Sequence, residues 1–148
     1  MSRQFVIILS LLILLSLTST SCIGLIAEDP ADKFVGDYSY NDTYSVNWGS
    51  ASGSFTNSGS FTISKQSSNT VYISNPWNTT ATATGIILNI SPTHQSDYSG
   101  YVDYTFSSAS LSGGMLSIKY HGMGSVKYSN GISYPYSCQG NIMARKVN

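Results

Sequence analysis

Over residues 34–48 the chain alternates with a period of two. Phe34, Gly36, Tyr38, Tyr40, Tyr44, Val46 and Trp48 share one parity, and Val35, Asp37, Ser39, Asn41, Thr43, Ser45 and Asn47 share the other. Successive side chains of a strand point to opposite faces, so this pattern predicts one long half-buried strand and leaves no room for a helix. Asp42 alone spoils the apolar side, and a bend is expected near it.

The same period recurs to the end of the chain. Phe55, Phe61 and Ile63 share a face, with a bulge or break expected at Asn57-Ser58-Gly59. Val71 and Ile73 mark a short strand ending before Asn75-Pro76, residues 80–90 read as one further strand, and 91–96 as a polar loop. Val102, Tyr104 and Phe106 then share a parity with Tyr98, and Leu116, Ile118 and Tyr120 set the next inner face after the turn at Gly113-Gly114. Ser129-Asn130-Gly131 is the strongest hairpin signal, because Asn-Gly tolerates the positive φ of a tight turn. In the last strand Ile132, Tyr134, Tyr136, Cys138, Ile142 and Ala144 face one way; Pro135, which has no amide hydrogen, marks an edge or bulge. Repeated short strands of this kind read as an all-β sandwich or barrel.

The first residues obey a different rule. Met1-Ser2-Arg3 leads into an apolar stretch of 13 residues, 5–17, then the small polar run 18–21, and stops at Cys22. A basic start, a short apolar core and a small-residue end make a secretory signal, too short for a membrane span of roughly 20 apolar residues. The organisation expected is therefore a signal at 1–21, a tether at 22–32 and one folded domain at 33–148. A second reading of the tether is a short turn packed on the domain.

Composition narrows the function. The chain has seven Lys and Arg against seven Asp and Glu; without Arg3 the exported part is near minus one, with no basic cluster, which argues against a nucleic-acid partner. Eleven tyrosines supply a core that disordered chains lack. Enzyme chemistry is not expected. His94 and His121 read as surface residues without Cys or Glu at metal-ligand spacing, and neither a metal nor a cofactor is implied. Asp97 and Asp103 read as solvent-facing, no Gly-x-Ser-x-Gly elbow occurs, and Gly122-Met123-Gly124 lacks the strand-to-helix setting of a phosphate cradle.

Two family resemblances add to this. The position of Cys22 resembles the cysteine of bacterial lipoprotein signals, which implies a chain that begins at an acylated Cys22, palmitate being the kind of chain such a cysteine carries. Ile23 then stands where Asp would favour inner-membrane retention, so a lipid anchor in the outer membrane is expected. The open alternative is an ordinary signal, with Cys22 free to bridge Cys138. Lys33-Phe34-Val35-Gly36-Asp37-Tyr38 resembles the Gly-x-Trp opening of lipocalin-like (calycin) barrels, with Tyr38 in the Trp place. With Asp29-Pro30-Ala31-Asp32 before it, the segment looks like small Bacteroidota lipoproteins of that type. The resemblance implies an antiparallel up-and-down barrel of about eight strands, in which Arg145 or Lys146 covers the opening strand.

A barrel of that size is filled by side chains or holds one small ligand. Tyr38, Tyr40, Tyr44, Tyr104, Tyr120, Tyr134 and Tyr136 fall on inward parities, each an apolar ring with a hydroxyl that wants a partner when buried. They are the candidate lining for a small amphipathic or aromatic molecule, bound without catalysis in a cavity of roughly 300 Å³ or more. Cys138 reads as an inward-facing hydrophobe. The competing expectation is a filled barrel that binds a protein or glycan through its outer surface, where Tyr72, Trp77, Tyr101 and Met123 are placed.

Overall fold

The computed structural model describes residues 28–129 and 131–147. The signal, Cys22, the start of the tether and Asn130 of the hairpin signal lie outside the described residues. A 3-10 turn (Pro30–Lys33) precedes nine strands: β1 (Gly36–Trp48), β2 (Ala51–Lys65), β3 (Thr70–Ile73), β4 (Thr79–Thr84), β5 (Ile87–Ile90), β6 (Thr93–Asp97), β7 (Gly100–Ser112), β8 (Met115–Lys127) and β9 (Ser133–Val147). All pairings are antiparallel in one sheet ordered β5-β4-β3-β2-β1-β9-β8-β7-β6, and β5 also meets β7. That last contact closes eight strands into an up-and-down ring and leaves β6 outside it. The closure is thin, resting on the pair Ile87 and Ser110 and on the Leu111 amide donating to Ile86 at 2.8 Å.

Strand lengths divide the barrel into two ends. β1, β2, β7, β8 and β9 are 13 to 15 residues long, whereas β3, β4 and β5 have four to six, so the ring is complete over only part of the long strands. Inside the complete part Phe34, Tyr38, Ile63, Val71, Ile73, Leu116, Ile118 and Ile142 are fully buried. β4 contributes Ala81 and Ala83 there and turns its threonines 80, 82 and 84 outward, so small side chains meet the large ones opposite. Beyond the ring the sheet opens, and β2 from Ala51 to Ser60 buries no side chain.

Several sequence expectations change in detail. β2 pairs with β1 without interruption from Gly36 opposite Ile63 to Trp48 opposite Ala51, so Asn57-Ser58-Gly59 is neither bulge nor break. The bulge lies in β7 between Phe106 and Ser108, and it shifts the inward parity from Val102, Tyr104 and Phe106 to Ala109 and Leu111. Residues 80–90 form two strands, because Gly85 at φ +61° allows a tight turn that brings Thr84 opposite Ile87. The loop expected at 91–96 is mostly β6, which continues β5 alongside β7. Pro135 pairs with Ser125 of β8 and lies just beyond the end of the β1 pairing at Trp48 and Tyr136, the edge its missing amide hydrogen requires.

The described part of the segment before β1 packs on the domain as a short turn. Ala31 is fully buried, its amide donates to Ser68 at 3.2 Å, and Lys65 bridges Asp29 and Asp32 at 2.7 and 2.8 Å. The turn thus plugs the closed end, and Asp29, Ala31 and Asp32 pack with the domain expected from Lys33. Of the two covering candidates on the last strand, Lys146 stands opposite Tyr38 on the inner parity and runs over Gly36, where a Cβ would meet its Cε at 2.3 Å. Arg145 stands opposite the outward Ser39.

Candidate functional site

Asp42 is the residue around which the inner surface is organised. It keeps the inward parity of β1, between Tyr40 and Tyr44, and β1 runs past it without a break in register. The residue is only 8% exposed. The Tyr120 hydroxyl, arriving from β8, donates to its Oδ2 at 2.6 Å. Its Oδ1 is fully buried and has no hydrogen-bond partner among the described residues.

A cavity of about 210 Å³ is lined in part by Asp42, whose Oδ1 is closed off behind its wall. Tyr40 and Tyr44 line it from β1, Tyr104 from β7, Tyr120 from β8, and Tyr136, Cys138 and Ile142 from β9. The remaining wall comes from Asn57 on β2, Gln95 on β6, and Pro76 and Trp77 in the connection between β3 and β4. That connection folds inward. Trp77 packs edge-on against Phe106 and Tyr120, with ring centroids at 4.8 and 5.8 Å, and so stands between the packed end and the cavity. Thr93 donates to the Trp77 carbonyl at 3.1 Å and Gln95 to that of Pro76, so β6 holds the connection in place although it lies outside the ring.

Glycines make room for the rings. A Cβ on Gly140 would come within 2.4 Å of the Tyr120 ring, and one on Gly59 within 2.8 Å of the Tyr40 hydroxyl. At Gly122 it would meet Cys138 Sγ at 2.6 Å and Tyr104 at 3.1 Å. Each of these glycines stands on the inner parity of its strand, and a neighbouring tyrosine or Cys138 occupies the space a side chain would have taken. Tyr104 and Tyr120 pack edge to face at 5.8 Å.

Burial sets the electrostatics. It pushes the Asp42 carboxyl above its ordinary value, and the Tyr120 hydrogen bond offsets only part of that. Burial also raises the phenols: Tyr104 is pushed up to about 12, and Tyr120 rises further, helped by the hydrogen bond it donates to Asp42. Tyr136 rises through burial and the neighbouring Cys138, and Tyr40 through burial and Asp42. The Cys138 thiol is raised by burial as well, which suits the inward hydrophobe expected and makes it a weak nucleophile. None of the residues lining the cavity is a Lys, Arg or His.

Of the seven tyrosines singled out from the sequence, five meet here: Tyr40, Tyr44, Tyr104, Tyr120 and Tyr136. Tyr38 lies deeper, fully buried, stacked on Phe61 at 5.3 Å and donating to the Phe34 carbonyl at 2.8 Å. Tyr134 lies far along β9, beside Gly49 and packed against Tyr128. Asp42 and Trp77 were missed. The first carried a visible signal, an acid on an aromatic parity; Trp77, expected on the outer surface, is 4% exposed and belongs to the core.

The other candidates stay outside. His94 and Asp103 meet at 2.6 Å on an exposed part of the β6–β7 hairpin, and Asp97 binds the amide and hydroxyl of Ser99. With Trp77 buried, the proposed outer patch keeps Tyr72, Tyr101 and Met123, the last two exposed. No protein-family model matches the chain, and no curated protein is significantly similar to it.

Proposed function

We propose that the protein is a non-catalytic binding protein that takes a small molecule, or one end of an amphipathic one, into the tyrosine-lined cavity over Asp42. The observation that carries this reading is the convergence of five tyrosines from four strands, together with Asp42, on one cavity. A concave, ring-lined pocket with a few polar groups is the usual form of a small-molecule site. At about 210 Å³ the cavity falls short of the roughly 300 Å³ required above of a carrier, so the carrier reading is abandoned and the proposal is confined to a small bound group. The outer-surface reading is weaker because its largest aromatic, Trp77, is turned into the core.

The place of action is part of the proposal and rests on the first 23 residues. Several acyl chains at Cys22 would hold the domain at the outer membrane, whereas one chain binds only marginally. Cys22→Ala is expected to move the protein to the soluble fraction; retention in the membrane fraction would remove the anchor.

Binding is tested by ligand-observed NMR of the full-length protein against a library of small polar, aromatic and charged molecules. Binders are expected that Tyr136→Ala or Tyr40→Ala weakens. A library with no binder, or binders indifferent to both substitutions, overturns the reading.

A further inference from the structure

We infer that the cavity selects a small alkylammonium cation, with Asp42 as its counter-ion and the surrounding rings as its cage. The inference rests on the binding reading above and adds the charge of the ligand. A carboxylate this deeply buried is ordinarily matched by a cation, or has both oxygens supplied with donors. Here Tyr120 serves Oδ2, Oδ1 is left without a partner, and no cationic side chain lines the cavity. The site therefore holds a buried carboxyl whose charge no lining side chain matches.

The surroundings choose the kind of cation. Metal ions need several ligating groups, and no cluster of three or more His, Cys, Asp or Glu exists among the described residues. An alkylammonium needs less: one carboxylate and aromatic faces, whose quadrupole attracts positive charge most strongly when water is excluded. Tyr40, Tyr44, Tyr104, Tyr136 and Trp77 supply those rings around Asp42. The volume of about 210 Å³ suits a small head group of this kind.

Choline and its neutral carbon isostere, 3,3-dimethylbutan-1-ol, isolate the charge. Titrated into the full-length protein and followed by calorimetry, choline is expected to bind about tenfold tighter than the alcohol or better. Asp42→Asn preserves an acceptor for Tyr120 and the volume of the side chain; it is expected to erase that preference by weakening choline alone. Tyr104→Leu keeps the carboxylate and removes one ring, and is expected to weaken choline more than the alcohol. Equal binding of both molecules overturns the cation while leaving the cavity a binding site. Choline binding that survives Asp42→Asn unchanged places the cation elsewhere and also overturns the inference. Failure of choline to bind does the same, and the library screen then decides separately whether the cavity binds anything.

Discussion

The two ends of the barrel are built from the same strands and obey different rules. At the closed end β1 presents Tyr38, β8 presents Leu116 and Ile118, and β9 presents Ile142 and Ala144, all buried, with short β3, β4 and β5 completing the wall. At the open end the continuations of β1, β8 and β9 present Tyr44, glycines 122 and 124, and Tyr136, and of the short strands β6 reaches them, through Gln95. One end has its polar atoms paired, as the Tyr38 hydroxyl shows. The boundary between them holds Asp42, with one oxygen unpaired. The difference teaches where stability and recognition sit: apolar burial is concentrated in the ring, and the open end is free to carry a group that destabilises the empty fold.

Substitutions should separate the ends sharply. Ile118→Ala or Ile142→Ala at the closed end is expected to cost about 2–5 kcal/mol in urea unfolding, the range for deleting a fully buried aliphatic side chain. Tyr136→Ala, at a half-buried ring beside the cavity, is expected to cost no more than about 1.5 kcal/mol. Equal losses would mean that the two ends are one core.

Next in size is Gly140→Ala. Its new Cβ would lie 2.4 Å from the Tyr120 ring, so the ring must move away from Asp42, at a cost of about 1–3 kcal/mol. The Tyr120 side-chain resonances report the displacement, and a variant as stable as the parent with Tyr120 unmoved would show that the glycine is not what seats the ring.

Asp42→Asn is expected to act in the opposite direction, stabilising the ligand-free protein by about 1 kcal/mol at neutral pH, because it removes a buried charge that lacks a partner. The pH dependence follows from the raised carboxyl. A folded-state pKa above the unfolded value means that the folded protein holds the proton more tightly in the window between the two. The favourable contribution is complete below the unfolded value and is lost as pH rises through the folded one. Around Asp42, Tyr40, Tyr104, Tyr120, Tyr136 and Cys138 are all raised above their ordinary values and so stay protonated through that window. Unfolding curves of the parent minus those of Asp42→Asn should therefore slope downward with rising pH across that window; a flat difference would mean that Asp42 is solvated.

The smallest effect belongs to Tyr38→Phe. It removes one buried hydrogen bond to the Phe34 carbonyl and leaves the stack on Phe61, for a loss of about 0.5–1.5 kcal/mol with no effect on ligand binding. Altered binding would blur the boundary drawn at Asp42.

Much of the fold was legible because alternation reports the inner face directly, and the long strands β1, β8 and β9 lie where their parities placed them. What was hidden had no periodic signal. Trp77 sits in a connection, where no parity applies, and its inward turn depends on hydrogen bonds from Thr93 and Gln95, residues far along the chain. β6 looked like a loop because it lies outside the ring and has no apolar face to advertise. The break at Gly85 hung on one glycine, and the β7 bulge shows only as the step from Phe106 to Ala109. Asp42 was visible as an exception, but its chemistry became readable only when Tyr120, 78 residues away, was brought within 2.6 Å.

The account stands or falls on the state of that carboxylate. In full-length protein with carbon-13 in the aspartate carboxyls, the Asp42 resonance should titrate above the ordinary carboxylate range, and saturation with choline should move its midpoint down toward that range. An ordinary midpoint that choline leaves in place would contradict the claim that the boundary of the open end holds a buried carboxylate matched by a bound cation.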